Sequence, residues 1–281
     1  QTALISTKER GKDGAGYYDG DIHTAKTPEE LKESSKENIL GHVLHAIVNT
    51  VSQPLKGEGV LTANCEIYNW EELAKENKIE ADNDAILLLK LLDHLGIEET
   101  LKQLQGVYAF AYLKDNLLYL ARDILGIKPL WYNDENGLIF CSEKKGIGKA
   151  KELNPRSILK YNLETKEITF IERDFFNISS KNNNQEQVIK ELKDKLCKAI
   201  SIRIPQRKFG LLFSGGLDSV IIAKLLKELN LDFTCYTAAT KENAPDLLAA
   251  KAAAKQLNLQ LKYKIISKEE TKSYLEKVTP L

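Results

Sequence analysis

LLFSGGLDSVII (residues 211–222) runs apolar, breaks on Ser-Gly-Gly, carries a single Asp-Ser pair and turns apolar again. The flanks decide what that break is. FGLLF (209–213) has the length and apolarity of a buried strand, and SVIIAKLLKEL (219–229) has helical spacing, so SGGLDS is a tight strand-to-helix turn. Turns of this kind, at the carboxyl ends of parallel strands, are where open α/β sheets bind ligands. Gly215 and Gly216 permit a sharp bend and put no Cβ in a ligand's way, which lets amides near the helix start face an anion. Ser214 and Ser219 add hydroxyl donors. Asp218 is the informative residue, because a carboxylate beside a phosphate repels it unless a divalent cation lies between them. ATP or pyrophosphate with Mg²⁺ fits that pattern. The turn has neither the GKS/GKT of a Walker A loop nor a GxGxxG. Its other reading is an ordinary strand-helix connection in which Asp218 favours the helix dipole.

Working outward, the carboxyl-terminal part alternates strands with helices. A helix with apolar Val188, Leu192, Leu196 and Ile200 precedes the opening strand. Helix 219–229, strand FTCYT (233–237), helix PDLLAAKAAAKQL (245–257), strand LQLKYKII (259–266) and a helix from about Lys268 follow. That order means βαβ units and a parallel sheet. Residues 1–177 read differently. ILGHVLHAIV (39–48), GVLTANCEI (59–67), GVYAFAYL (106–113), NLLYLARD (116–123), PLWYN (129–133) and GLIFCS (137–142) are β-rich, with a hairpin around Lys114 to Asn116. Helical spacing appears in NWEELAKEN (69–77) and NDAILLLKLLDHLG (83–96), each with Asn or Asp near its start. An α+β domain with helices on antiparallel sheets follows. Polar, Asn-rich SSKNNNQEQ has no periodicity, so 178–187 is expected to link a domain at 1–177 to a second at 188–281.

The 281 residues suit two domains at roughly 100 to 200 residues each. Forty basic and forty acidic side chains cancel, so no global field argues for nucleic acid or a membrane surface as partner. No apolar run approaches the roughly 18 residues of a membrane span, and no leader-like segment opens the chain. A cytoplasmic protein is expected. Cys65, Cys141, Cys197 and Cys235 are widely spaced, which disfavours disulfides or a zinc site. A chain that begins at Gln1 without any methionine, and a sheet that stops after three strands, point to a fragment of a longer protein or to selenomethionines missing from the written sequence.

SGGLDS after a strand resembles the pyrophosphate loop of ATP pyrophosphatases. RGKDGAG (10–16), LGHVLHAIV (40–48), NCEIYNW (64–70), NDAI (83–86), GVYAFAYL (106–113), LARDILGIKPLWY (120–132) and FCSEKKGI (140–147) resemble, in this order, the class II glutamine amidotransferase domain of the asparagine synthetase family. APDLLAAKAAAKQL (244–257) is similar to its synthetase half. The resemblance spans nearly the whole chain. It implies an amino-terminal nucleophile hydrolase-like αββα sandwich followed by an α/β ATP-pyrophosphatase domain, here partial. It also implies a reaction: glutamine is hydrolysed in the first domain, and ammonia passes through a tunnel to a β-aspartyl-AMP made from aspartate and Mg-ATP. AMP is a good leaving group, and shielding ammonia from bulk water keeps it unprotonated.

Carried over residue by residue, the resemblance places Asn64 and Cys65 at an oxyanion hole, Glu66 and Asp84 on the glutamine ammonium, and Ile47 and Val48 beside the glutamine. Asn64 as a turn residue and Asp84 as a helix cap are the structural readings. Leu212, Ser214, Gly215, Gly216, Leu217, Asp218, Ser219 and Cys235 fall at the ATP and pyrophosphate site, with Asp218 toward Mg²⁺. Leu212 and Cys235, taken as strand-end positions, also suit a core. Arg122, Asp123 and Lys128 read as braces at the domain interface. Two departures stand out. Leu44, followed by His45, replaces an arginine that clamps the glutamine α-carboxylate, and Cys65 replaces a glycine. The family's cysteine nucleophile is expected upstream of Gln1, and further synthetase residues beyond Leu281. These departures leave open a related ligase whose glutaminase half is inactive, β-lactam synthetase-like or ammonia-dependent, and a non-catalytic scaffold. Homodimers are common among similar proteins.

Overall fold

Period-two burial organises the amino-terminal part of the chain. In the computed structural model, which describes residues 2–46, 50–177, 184–205 and 207–278, the chain divides into two units, Gln1–Ser179 and Ser180–Leu281. In the first, α1 (Thr2–Ser6) leads into β1 (Gly14–Tyr18), β2 (Ile22–Ala25), β3 (Leu40–Leu44), β4 (Leu55–Lys56) and β5 (Val60–Ile67). Helices α2 (Trp70–Glu76), α3 (Asp84–Leu95) and α4 (Ile97–Gln103) follow. The unit then continues through β6 (Gly106–Lys114), β7 (Leu117–Arg122), β8 (Trp131–Asn133), β9 (Ile139–Cys141), β10 (Lys151–Glu152), β11 (Ser157–Asn162) and β12 (Ile168–Glu172).

The central sheet is antiparallel, with strand order β12-β11-β7-β6-β5-β4. One of its faces carries Leu61, Ala63, Ile67, Tyr108, Phe110, Tyr112 and Ala121, packed under Leu88, Leu89 and Leu92 of α3 and Ile97 and Leu101 of α4. The intervening residues Val60, Ala109, Ala111, Leu118, Leu120, Leu159 and Tyr161 face the other way. They bury against Leu40, Leu130, Tyr132 and Leu153, which belong to or adjoin the two short sheets β2-β1-β3 and β10-β8-β9. On the far side of β1 and β3, Ala15, Tyr17 and Val43 receive Leu4 of α1. The layers therefore run helix, sheet, sheet, helix, an amino-terminal nucleophile hydrolase-like αββα sandwich whose second helical layer is the five-residue α1. The hairpin between β6 and β7 turns on Asp115 and Asn116, both left-handed (φ 51° and 60°), residues that tolerate that conformation.

The second unit contains α5 (Gln185–Ser201), β13 (Phe209–Leu212), α6 (Leu217–Glu228), β14 (Phe233–Ala239), α7 (Pro245–Leu257), β15 (Leu261–Ile265) and α8 (Lys268–Val278). Its strands are parallel in the order β13-β14-β15, and Phe213, Ala223, Cys235, Ala250 and Ala254 form its core.

Several sequence expectations need correction. Of the expected linker, 178–183 lies outside the described residues and 185–187 forms the first turn of α5, capped by Asn184, whose side chain accepts from Glu186 N. Within the run 39–48 a strand covers Leu40–Leu44, and Ile47 and Val48 lie outside the described residues. Helix α6 opens at Leu217, two residues early, so Asp218 and Ser219 belong to its first turn.

Candidate active site

In the first unit the family-like residues gather at the end of β5. Gln53 donates from Nε2 to Ala63 O (3.0 Å) and accepts from Ala63 N at Oε1 (2.7 Å), so a side-chain amide takes over where the two-residue β4 stops. Further along, Ile67 N donates to Asp84 Oδ2 (3.0 Å). Backbone groups of a strand alternate between its two edges, so Ala63, Cys65 and Ile67 share the edge away from β6. The Cys65 N–H therefore lies on the same edge as those two clamps, between them. The side chains of Asn64 and Glu66 project from the opposite face to that of Cys65.

Asp84 is not the helix cap. Asn83 caps α3 with Oδ1 accepting from Ala85 N (2.8 Å), and Asp84 occupies the first helical position with its own Oδ1 3.0 Å from the same amide. Burial raises the Asp84 pKa, opposed by the amides of Ile67 and Ala85 and by a hydrogen bond from the Cys65 thiol. Burial also pushes the Cys65 thiol well up, and the charge of Asp84 adds to it. Cys65 is thus a protonated donor to Asp84, unsuited to be a nucleophile.

Glu66 Oε1 meets Lys128 Nζ at 2.7 Å. Lys128 is delivered by a rigid loop. Asp123, only 3% exposed, accepts from Ile127 N (2.8 Å) at Oδ1 and from Lys128 N (2.9 Å) at Oδ2. Arg122 is buried beside it and donates to Glu152 Oε1 (2.7 Å), Leu153 O and Gly126 O. These partners all belong to the first unit, so Arg122, Asp123 and Lys128 brace a loop within it. The Glu66–Lys128 contact spans 62 positions and left no signal in the sequence. Nor did that of Gln53. At the amino side, Leu44 is buried at the end of β3, while His45 Nδ1 and Ala46 N converge on Asp13 Oδ2 (3.4 and 2.8 Å).

In the second unit the turn has the anticipated sharp geometry. Gly215 is left-handed (φ 75°), and a Cβ there would sit 2.4 Å from Ala249 C and Ala250 N, so the turn lies directly on the α7 backbone. Gly216 caps α6, and its N–H donates to Ser214 Oγ (3.2 Å). Ser219 Oγ lies 3.2 Å from Ser214 Oγ and donates to Gly216 O (3.0 Å). Asp218 is exposed on the first turn, and among the described residues its side chain has no hydrogen-bond or ion-pair partner. Leu212 ends β13 and is 84% exposed, and Leu217 is exposed beside the turn. Cys235 departs from the strand-end expectation. It is third of seven residues in β14, opposite Leu211, fully buried in the core, and burial raises its pKa.

Among the described residues no cluster of three or more His, Cys, Asp or Glu side chains could hold a metal by itself. Asp218 fits Mg²⁺ that arrives with phosphate oxygens and water: it is a hard oxygen donor, uncommitted, beside two hydroxyls at a helix amino terminus.

A sandwich of this layering, with Asn64, Cys65 and Glu66 toward the end of β5, has the architecture of a class II amidotransferase domain. The chain belongs to the glutamine amidotransferase domain family, which matches residues 2–181, and the asparagine synthase family matches residues 191–280. A Methanocaldococcus jannaschii protein named "Putative asparagine synthetase (glutamine-hydrolyzing) 1" is 35% identical over 96% of this chain and 56% of its own length. The asparagine synthetase (glutamine-hydrolyzing) of Gallus gallus is 30% identical over 78% of this chain and 46% of its own. The chain thus spans about half the length of these relatives. A solved structure of glutamine phosphoribosylpyrophosphate amidotransferase from B. subtilis shares the fold, with TM-score 0.53 at 18% identity, covering 93% of this chain and 62% of that one.

Proposed function

We propose that this chain carries the glutamine pocket and the pyrophosphate loop of an ATP-dependent amide ligase. The enzyme makes asparagine from aspartate with ammonia from glutamine, through a β-aspartyl-AMP, releasing AMP and pyrophosphate. The observation that carries this reading is the turn at 214–219, where Gly215 seats the backbone on α7 and Asp218 stands uncommitted at the start of α6. Amides at that helix end and the hydroxyls of Ser214 and Ser219 suit the β and γ phosphates as they leave, and Leu212 and Leu217 offer apolar contact beside them. Mg²⁺ would be held by Asp218 and would neutralise phosphate charge. Cys235 contributes from the core beneath the turn, without contact with nucleotide.

In the first unit, the Cys65 N–H and the Asn64 amide serve in this reading as donors to a developing oxyanion, and Glu66 and Asp84 as acceptors for an ammonium. Names of the relatives support the choice of asparagine, and the free cysteines among the described residues accord with a reducing cytoplasm. No helix among the described residues is long and apolar enough to cross a membrane. A homodimer using glutamine, aspartate and ATP completes the proposal.

The test is turnover. The full-length protein is incubated with Mg-ATP, aspartate and either glutamine or ammonia, and AMP, pyrophosphate and asparagine are measured. Asparagine from both nitrogen donors is expected. Asparagine from ammonia alone would select the ligase with an inactive glutaminase half, the reading that buried Leu44 favours, and absence of pyrophosphate with any carboxylate tried would end the ligase reading.

A further inference from the structure

The pocket described above lacks a cation where its family carries one. Position 44 is a buried leucine, and His45, the next candidate on that strand end, turns to Asp13. Yet an α-amino acid brings a carboxylate as well as an ammonium, and Glu66 and Asp84 would both repel that carboxylate. One cation does reach the pocket from elsewhere in the fold. Lys128 Nζ lies 2.7 Å from Glu66 Oε1, its side chain is 20% exposed, and its charge is felt at the Cys65 thiol along with those of Asp84 and Glu66.

We propose that Lys128 is the cation that holds the α-carboxylate of the amino-acid ligand in the amidotransferase pocket, replacing the arginine that the β3 strand lacks at Leu44. The inference rests on the glutamine reading of that pocket and assigns it a residue from a different loop. An ammonium has three donors, so Lys128 keeps Glu66 with one and offers the others to the ligand. The ligand's own ammonium and carboxylate share one carbon, so a pocket that binds the first at Glu66 needs its cation within about one ion-pair distance of that carboxylate. Lys128 meets that requirement, and the Asp123 clamp on the loop fixes it there without depending on the ligand. The charges of a zwitterion are then matched from two strands' ends rather than one.

Calorimetric titration of this chain with L-glutamine and with 4-aminobutanamide, which is glutamine without its α-carboxylate, tests the assignment. Lys128→Met is expected to weaken glutamine binding about tenfold or more and to leave 4-aminobutanamide within about twofold, with Lys128→Arg restoring glutamine. Equal weakening of both ligands, no effect on either, or tighter glutamine binding, as when a plug is removed from Glu66, would overturn the proposal while leaving the pocket standing. Failure of the wild-type chain to bind glutamine at all would overturn the pocket reading and this proposal with it. Unchanged thermal unfolding of the variants, with Lys128→Gln as a second neutral replacement, separates the binding effect from misfolding.

Discussion

Two strands of this molecule, β7 and β13, are each followed by one aspartate, and the two are used in opposite ways. Asp123, after β7, is buried with both oxygens engaged by the amides of Ile127 and Lys128. Asp218, after β13, is exposed on the first turn of α6 and engages nothing among the described residues. The same side chain is architecture after β7 and uncommitted on α6. A carboxylate whose lone pairs are filled by the backbone has a structural reason to be there. One left open beside two hydroxyls and a left-handed glycine has only the helix dipole as its structural reason.

The contrast can be broken most directly at Asp218. Asp218→Ala is expected to lower pyrophosphate release from Mg-ATP and aspartate by about a hundredfold or more, with an unfolding midpoint close to wild type. Persistent release would reduce Asp218 to a helix-dipole residue. Asp123→Ala should behave inversely, costing about 2 to 4 kcal/mol in denaturant unfolding because two loop amides lose their acceptor. A near-neutral result there would erase the difference between the two aspartates. Gly215→Ala sharpens it further: a Cβ at φ 75°, 2.4 Å from the α7 backbone, should cost about 1 to 3 kcal/mol and weaken ATP binding with it.

The smallest effect expected is one of pH. Burial lowers the His42 pKa to about 4, below the unfolded value near 6.5. Protonation therefore favours the unfolded chain, so this contribution is fully present above about pH 6.5 and is lost as pH falls toward 4. His42→Gln should flatten that part of the stability profile, measured by denaturant unfolding at pH 5 and 7. Parallel profiles for variant and wild type would show that His42 is not shielded.

Legibility followed range along the chain. The alternation in NCEI and GVYAFAYL and the apolar face of α3 announced the central sandwich, because each signal is complete within one element. SGGLDS announced its turn for the same reason, although α6 starting at Leu217 needed the backbone to reveal it. Helix α4, seven residues, is too short to show a period. Asn83 and Asp84 are both good caps, and only geometry gives the role to Asn83. Cys235 looked like a strand end until the start of β14 at Phe233 placed it mid-strand. Lys128 and Glu66, like Gln53 and Ala63, meet only because separate elements fold together, and no local pattern encodes such a meeting.

Gln53 gives the β5 strand edge a side-chain fastening. A strand edge sealed by neighbouring backbone is chemically inert, but here the seal beside Asn64 is a primary amide. Gln53→Glu would set a carboxylate oxygen against Ala63 O, so a single substitution would loosen this strand edge with Asn64, Cys65 and Glu66 all still in place.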